Sequence, residues 1–132
     1  MSRLLLDTHV ALWAVIEPTA LAPAVLDLLQ ADEQELFLSL ASVWELAIKS
    51  SRGKIRLPQR VGVFAEAIAD QLGAAWLPIR LGHLARVETL PFHHADPFDR
   101  LLVAQAVEED LVLVTADASL GAYDANLILA CR

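Results

Sequence analysis

The sequence predicts an α/β fold in which helices cover both faces of a mainly parallel sheet of four to five short strands. Short apolar runs alternate with longer segments of helical pattern along the chain. The runs at residues 3–6 and 111–114 are unbroken, as expected of strands that are buried on both faces. A chain of 132 residues has the length of one domain, which we expect to span residues 1–132.

Composition excludes several classes of protein. No apolar run reaches the roughly 18 residues of a membrane span, and no small-residue cleavage site follows the first strand, so we expect neither a membrane span nor a signal peptide. The net charge of −7 argues against indiscriminate binding of nucleic acid. The single cysteine, Cys131, cannot form an internal disulfide and suits a reducing cytoplasm.

Five short apolar runs predict the strands. They lie at residues 3–6, 36–38, 75–79, 111–115 and 127–130. Pro78 lies within the third run, and we expect an edge strand there because proline cannot donate a hydrogen bond to a central ladder. The fifth run is the candidate for a final edge strand.

Helical segments separate these runs. They are predicted at residues 8–16, 23–31, 61–72 and 81–88, with a further helix that Gly53 ends and another that begins at Pro97. Pro18 closes the first helix, and Ser39 or Ser42 can cap the helix that Gly53 ends. Pro97 suits the first turn of the last helix, where a missing N–H does no harm.

Four acidic residues lie near the ends of predicted elements or within an apolar helix. Asp7 follows the first strand, Asp99 opens the last helix, and Asp117 comes two residues after the fourth strand. In a parallel sheet, strand C-termini and the helix entrances that follow them lie at the same edge, so we expect these three residues to meet. Glu45 lies three residues past Ser42 on an otherwise apolar helix.

Each acidic residue also has a purely structural interpretation. Asp7 and Asp117 can cap a helix or a turn. Asp99 can stabilise a helix N-terminus or pair with the arginine that follows it, and Glu45 can pair with Lys49. As a group, however, carboxylates about 4 Å apart repel by several kcal/mol at an effective dielectric near 20. Such a cluster needs a cation or retained protons, and oxygen ligands without a partner cysteine suit Mg²⁺ or Mn²⁺.

Five segments carry a resemblance to a known family. They are Leu-Leu-Asp-Thr-His-Val-Ala-Leu-Trp at 5–13, Leu-Ala-Ser-Val-Trp-Glu-Leu-Ala-Ile-Lys at 40–49, Gly-Lys-Ile-Arg-Leu-Pro at 53–58, Asp-Pro-Phe-Asp-Arg-Leu-Leu-Val-Ala-Gln-Ala at 96–106 and Leu-Val-Thr-Ala-Asp at 113–117. In this order they cover nearly the whole chain, which resembles the PIN (PilT N-terminus) domain ribonucleases. Within them it is most similar to the VapC-type toxins of prokaryotic toxin–antitoxin pairs.

The resemblance implies a PIN-like three-layer α/β/α sandwich and a metal-dependent endoribonuclease. It implies that an acidic site binds Mg²⁺, with Mn²⁺ able to substitute, and hydrolyses RNA; its residues are Asp7, Glu45, Asp99 and Asp117. It also implies a homodimer and a small cognate antitoxin that inhibits the enzyme. Residues 123–132 depart from the family pattern, which leaves the last strand open.

Other residues are assigned around this site. We expect Thr8 and Thr115 to hold the carboxylates by hydrogen bonds, and Asp96 either to do the same or to cap the helix, with the cap favoured. Phosphate contacts are expected from basic residues, at Arg52, Lys54, Arg56 and Arg100. The alternatives are a solvated face for the basic run, whose other members are Lys49 and Arg60, and a carboxylate partner for Arg100.

Histidines and tryptophans near the motifs have plainer interpretations. His9, His93 and His94 are interpreted as hydrogen-bonding or solvated residues, because hard cations prefer oxygen ligands. Trp13 and Trp44 are interpreted as core or dimer-interface anchors in preference to base-stacking platforms.

A ribonuclease has two rivals, a phosphotransfer enzyme or receiver domain and a non-enzymatic module. A receiver domain or a haloacid-dehalogenase phosphatase needs a lysine late in the chain, and the only lysines are Lys49 and Lys54. The phosphatase also needs an aspartate two residues after the first, where this chain has His9. The remaining alternative is a catalytically silent PIN-like module that acts by binding protein or RNA.

Overall fold

The computed structural model describes residues 2–123 and 125–130, and Cys131 lies outside them. The described residues form a five-stranded sheet. Its strands are β1 (Arg3–Leu6), β2 (Glu35–Ser39), β3 (Ala75–Leu77), β4 (Val112–Thr115) and β5 (Leu127–Leu129). Their order is β3-β2-β1-β4-β5, and every neighbouring pair is parallel. The expected sheet is therefore confirmed, with β3 and β5 at its edges.

The described residues also form six α-helices. They are α1 (Thr8–Ile16), α2 (Pro23–Gln30), α3 (Leu40–Ser51), α4 (Val61–Leu72), α5 (Leu81–Thr89) and α6 (Pro97–Glu109). Short 3-10 turns follow α1 at Pro18–Ala20 and β4 at Ala118–Ala122. Ser39, and not Ser42, caps α3 by accepting a hydrogen bond from the Ala41 N–H. Over the residues described, no helix combines the length and the hydropathy that crossing a bilayer requires.

Two apolar clusters pack against opposite faces of the sheet. Leu4 and Leu6 of β1 belong to the cluster under α1, α2 and α4, whereas Leu5 belongs to the cluster under α6. All three side chains are at most 1% exposed. Successive residues of a strand point to opposite faces, so an unbroken apolar run is what a strand buried on both sides requires. Each buried leucine stabilises the fold by about 1.5–3 kcal/mol relative to exposure.

The strand order places a crevice at the C-terminal ends of β1 and β4. From β1 the chain proceeds to β2 and β3 on one side of the sheet, and β4 and β5 are then added on the other side. The two directions diverge between β1 and β4, and open α/β sheets bind ligands at such switch points. Asp7 follows β1 at this crevice, and its backbone N–H donates a hydrogen bond of 3.0 Å to the carbonyl oxygen of Val114 on β4.

Helix α6 is fixed over the sheet by a buried polar residue. Gln105 is 0% exposed. Its Oε1 accepts a hydrogen bond of 2.6 Å from the hydroxyl of Ser39, and its side-chain amide donates to the carbonyl oxygen of Pro78 at 3.3 Å. Because Ser39 ends β2 and Pro78 follows the neighbouring β3, these bonds hold α6 in place relative to the sheet edge where the acidic residues lie.

Candidate active site

The four predicted carboxylates line one open cavity of about 450 Å³. It is bounded by the start of α1, the middle of α3, the start of α6 and the turn after β4. Its acidic residues are Asp7, Glu45, Asp96, Asp99 and Asp117. The two strand-end aspartates thus meet the helix-entrance aspartate at one edge of the sheet, as expected, and α3 adds Glu45.

Asp7 is both a helix cap and a member of the cavity wall. Its Oδ1 accepts a hydrogen bond of 2.9 Å from the N–H of Val10 and so caps α1. Its Oδ2 accepts hydrogen bonds from the hydroxyl of Thr115 and, at 3.3 Å, from the N–H of Ala116. The carboxylate is 6% exposed and is held at both oxygens, so its orientation is set by α1 and β4 together.

Glu45 is held in the same way from two sides. Its Oε1 accepts a hydrogen bond of 2.7 Å from the hydroxyl of Thr8, and its Oε2 lies 2.7 Å from Nζ of Lys49. The Thr8 hydroxyl oxygen also lies 2.9 Å from the hydroxyl oxygen of Ser42. The hydrogen bond to Glu45 raises the pKa of Lys49. The expected Glu45–Lys49 pair therefore exists, but at the cavity wall, where it offsets part of the acidic charge.

Asp99 is the carboxylate that is most perturbed by the cluster. Burial raises its pKa from 3.8 to about 6, the charge of Asp96 adds to the effect, and Asp7 and Glu45 contribute further. His94 acts in the opposite direction. A carboxylate crowded by three others gains most from a bound cation, which favours the charged form.

Asp96 caps α6, as the favoured interpretation expected. Its Oδ1 accepts hydrogen bonds from the N–H groups of Phe98 at 2.8 Å and Asp99 at 3.1 Å. These two bonds satisfy N–H groups that have no partner within the helix. They also fix the helix start from which Asp99 projects into the cavity.

Asp117 is kept ionised by hydrogen bonds. Its Oδ1 accepts from the hydroxyl of Ser119 at 2.6 Å and from the N–H of Ser119 at 2.9 Å. Its Oδ2 lies 2.9 Å from Nε2 of His94. The Ser119 hydroxyl is the largest cause of a lowered pKa at Asp117, and His94 adds to the lowering.

His94 is the site residue that the sequence did not place. Its Nε2 contacts Asp117 and lies 3.7 Å from Oδ2 of Asp99. One ligand atom each from His94, Asp99 and Asp117 lie within 4.8 Å of one another, a spacing that can hold a metal ion. However, Nδ1 of His94 accepts a hydrogen bond from the N–H of Asp96, which assigns the proton to Nε2. In this form His94 donates to Asp117, in agreement with its interpretation as a hydrogen-bonding residue.

Arg100 does not lie where the sequence predicts it. Its guanidinium donates to the backbone oxygens of Pro91 and Val87, both at 3.0 Å, and to the Tyr123 hydroxyl at 3.1 Å. The residue is 8% exposed. The side chain therefore points away from the cavity, into the space between α5 and Tyr123, which follows the 3-10 turn Ala118–Ala122. The assignment of Arg100 to phosphate or to a carboxylate partner is wrong.

The remaining basic residues lie beyond the cavity wall. Arg52, Lys54 and Arg56 are exposed in the segment after α3. Arg52 is seven residues past Glu45, so it lies about 10 Å further along the helix axis. Within the described part of the chain, Lys49 is the one lysine or arginine that lines the cavity. The basic run thus starts at the site with Lys49 and leads away from it.

Trp44 is also placed differently from one expectation. It is 55% exposed, so it is not a core residue. Its ring packs edge-on against Phe98, with 5.0 Å between the ring centroids. Because Glu45 follows Trp44 and Asp99 follows Phe98, this aromatic pair joins α3 to the start of α6 just outside the cavity.

The acidic cavity on a parallel α/β sheet defines a PIN domain. The sequence profile of the PIN domain family matches residues 4–126, and the chain belongs to this family. It is 30% identical over 123 residues to Ribonuclease VapC22 of Mycobacterium tuberculosis, a match that covers 93% of each chain. The resemblance to VapC-type proteins is therefore confirmed.

Solved structures share the fold over almost the whole chain. VapBC2 from Rickettsia felis, bound to a DNA fragment from its promoter, has a TM-score of 0.75 at 15% identity and covers 97% of this chain and 98% of its own. DNA-bound VapBC from Salmonella typhimurium has a TM-score of 0.70 at 14% identity, with 97% and 98% covered. FitAcB from Neisseria gonorrhoeae has a TM-score of 0.62 at 21% identity, with 95% and 96% covered. The expected PIN-like fold is confirmed.

Proposed function

We propose that this protein is a metal-dependent endoribonuclease of the VapC type that hydrolyses RNA phosphodiester bonds and is inhibited by a cognate protein antitoxin. The observation that carries the proposal is the convergence of Asp7, Glu45, Asp99 and Asp117 on one open cavity. The similarity to Ribonuclease VapC22 supports RNA as the substrate. A cytoplasmic location stays a prediction.

The donor set fits a hard divalent cation. All four carboxylates offer oxygen, the ligand atom that Mg²⁺ and Mn²⁺ prefer. Burial first, and then the charges of the neighbouring carboxylates, raise the pKa of Asp99, and a bound cation would offset both effects. Asp7 and Asp99 would hold the ion, with Glu45 and Asp117 bonding to it directly or through water. When bound, the ion would supply positive charge for a phosphate oxygen and lower the pKa of a water molecule bound to it.

The chain's own residues prepare this site. Thr115 and the Val10 N–H fix the two oxygens of Asp7, and Ser119 keeps Asp117 ionised. Such prior orientation means that little rearrangement is needed when the phosphodiester arrives. An attack by water in line with the leaving oxygen gives 5′-phosphate and 3′-hydroxyl ends, the outcome that the family resemblance implies.

A cleavage assay with chelator tests the proposal. Mixed RNA should be cut with Mg²⁺ and left intact with chelator, and Asp7→Ala and Asp99→Ala should abolish cutting while the fold persists. Asp27→Ala, at an exposed position of α2 away from the cavity, is the matched control and should cut normally. Near-normal cleavage by Asp99→Ala would overturn the assigned site. Binding of metal and RNA without any cleavage would favour the catalytically silent module.

A homodimer is the second part of the proposal. The exposed leucines of α5, Leu81 at 82% and Leu84 at 51%, are three residues apart and so share one helix face. The hydrophobic excess of so short a chain also makes the predicted helices at residues 23–31 and 61–72 candidate surfaces. Of these, α4 exposes Val63 at 55%, whereas α2 exposes no large hydrophobic side chain along its fully described length. A contiguous exposed apolar patch marks an interface, and α5, with two such side chains on one face, is the stronger candidate.

A further inference from the structure

One wall of the acidic cavity is aromatic. His9 and Trp13 of α1 line the same cavity as the carboxylates. They are four residues apart and therefore share a helix face, and their ring centroids are 5.7 Å apart with the planes inclined at 45°. His9 is exposed and Trp13 is half-buried. Two ring surfaces thus lie beside Asp7, which caps the same helix.

The metal chemistry does not account for this wall, and the fold accounts for only part of it. A hard cation needs oxygen ligands and gains nothing from an indole. Trp13 packs one part against the core under α1 but still reaches the cavity, and His9 buries little surface. Aromatic groups at the mouth of a polar cavity are the usual means by which proteins hold an unpaired base.

The charges of the cavity point the same way. Lys49 is the one lysine or arginine among the described lining residues, and it is already paired with Glu45 at 2.7 Å. A phosphate at the carboxylates therefore receives little direct help from basic side chains of the cavity itself. Within the cavity, the base or sugar of the nucleotide is therefore the part of the substrate that can add binding energy beyond the metal and the distant basic run. The cavity of about 450 Å³ falls within the usual range for sites that enclose a small ligand.

We propose that His9 and Trp13 form a stacking platform for the base of an RNA nucleotide whose phosphate lies at the carboxylates. The inference rests on the proposed function and narrows its substrate to RNA that is single-stranded at the cleaved position. Stacking accepts any base, so the platform selects an unpaired nucleotide and leaves sequence preference to other contacts. Trp13 is then a substrate-binding residue, in contrast to the core or dimer anchor that the sequence suggested.

The test compares intact with abasic RNA. A short single-stranded RNA that the protein cleaves is prepared intact and in two abasic forms, each lacking the base on one side of the cleaved bond. KM and kcat are measured for all three RNAs. Trp13→Leu keeps the apolar bulk and removes the ring. It should bind intact RNA about 5- to 100-fold more weakly, as loss of one stacked base predicts. It should treat one of the abasic RNAs as the wild type does. Trp13→Phe should retain most of the affinity.

Two variants control for structural effects. Trp44→Leu removes an exposed tryptophan that precedes Glu45 and packs on Phe98 but does not line the cavity. It should affect intact and abasic RNA equally. His9→Ala changes an exposed residue, so the protein should still fold even if Trp13→Leu does not. It should show a smaller loss of affinity with the same dependence on the base.

A binding measurement separates this inference from the proposed function. Replacing the base with 2-aminopurine reports stacking as quenched fluorescence, measured in Ca²⁺, whose looser coordination should support binding without cleavage. If the wild type quenches the fluorescence, Trp13→Leu abolishes the quenching and no RNA is cut in Mg²⁺, the proposed nuclease activity is refuted and the stacking platform is supported. Metal-dependent cleavage with equal losses for intact and abasic RNA would refute the platform alone. A Trp13→Leu defect confined to antitoxin binding would also refute it.

Discussion

The hydroxyl of Thr8 donates a hydrogen bond of 2.7 Å to Oε1 of Glu45, which joins the first residue of α1 to the middle of α3. Both residues are at most 5% exposed. Asp7 immediately precedes Thr8 in the chain. The hydrogen bond therefore fixes the carboxylate of Glu45, within α3, relative to the carboxylate of Asp7 at the end of β1. The acidic cavity therefore depends on the packing of α1 against α3 as well as on the sheet.

Replacing Thr8 with Val tests this contact. Valine has nearly the same shape but leaves a buried carboxylate oxygen of Glu45 without its donor, so the protein should lose about 1.5–3 kcal/mol of stability. RNA cleavage should fall at least roughly tenfold, as is typical when the support of a metal-site residue is lost. Urea unfolding and the cleavage rate measure the two effects. Thr8→Ser keeps the hydroxyl and should restore both; a Thr8→Val protein with normal stability would show that the bond contributes nothing.

The raised pKa of Asp99 predicts how stability depends on pH without metal. The folded protein holds this proton more tightly than the unfolded chain does, with a pKa of about 6 against 3.8. Below about pH 4 the carboxyl is largely protonated in both states. Between about pH 4 and pH 6 the unfolded chain releases this proton while the folded protein still holds it, so the fold loses stability until the folded carboxyl ionises near pH 6. Because the Asp99 carboxyl is partly exposed and screened by solvent, the effect on the free energy of unfolding should be only about 1–2 kcal/mol.

Asp99→Asn should remove this dependence. In chelator, the wild type should lose stability between about pH 4 and pH 6, and the variant should lose less and be about 1–2 kcal/mol more stable at pH 7. Denaturant unfolding across this range is the measurement. Mg²⁺ should restore wild-type stability at pH 7, and its affinity should fall below pH 6 because ion and proton compete for the carboxylate. Identical pH profiles for the two proteins would contradict the cause assigned to the pKa.

Neutralising the exposed basic run should weaken RNA binding for all sequences alike. The triple variant Arg52→Gln, Lys54→Gln and Arg56→Gln removes three cations. For single-stranded RNA, the negative slope of log affinity against log salt should therefore become shallower by about 2. Metal affinity should change little, because Arg52 is about a Debye length from Glu45 along α3. Binding titrations at several salt concentrations provide the test.

Arg80→Gln combined with Arg86→Gln is the control for this variant. Both arginines are exposed, Arg80 at the N-cap of α5 and Arg86 in its last turn, and their loss should leave the slope nearly unchanged. If the triple variant keeps the wild-type slope, the run is a solvated face or belongs to the antitoxin interface.

The α5 surface predicts the effect of charge on association. Leu81→Glu together with Leu84→Glu places two carboxylates on a face that is apolar and exposed in the single chain, and a buried unpaired charge is costly. Sedimentation at micromolar concentration should show a dimer for the wild type and a monomer for the variant. Val63→Glu, on α4, tests the alternative surface. A monomeric wild type would refute the dimer proposal. If Val63→Glu is monomeric and the α5 variant remains a dimer, the interface lies on α4 and not on α5.

Local signals explain why the elements were predictable. The apolar run before Asp7 and the aspartate cap place β1 and α1 at their observed bounds, Arg3–Leu6 and Thr8–Ile16. Asp96 and Pro97 likewise start α6 where the sequence predicts it. Caps and proline act on backbone groups within four residues, so they can be recognised without knowledge of the fold. Residues 127–129 form an edge strand despite their departure from the family pattern.

Strand alternation and caps are local properties, so the sheet, the helices and the edge at which Asp7, Asp99 and Asp117 meet could be predicted from the amino-acid pattern. The contacts that each side chain makes at that edge follow from the folded chain as a whole. Thr115 binds Asp7 across 108 positions, and His94 reaches Asp117 across 23. The burial of Arg100 was likewise decided by the packing of α6 on α5. Contacts over such separations, and the pKa shifts that burial causes, depend on how the helices settle against the sheet, which no local pattern encodes.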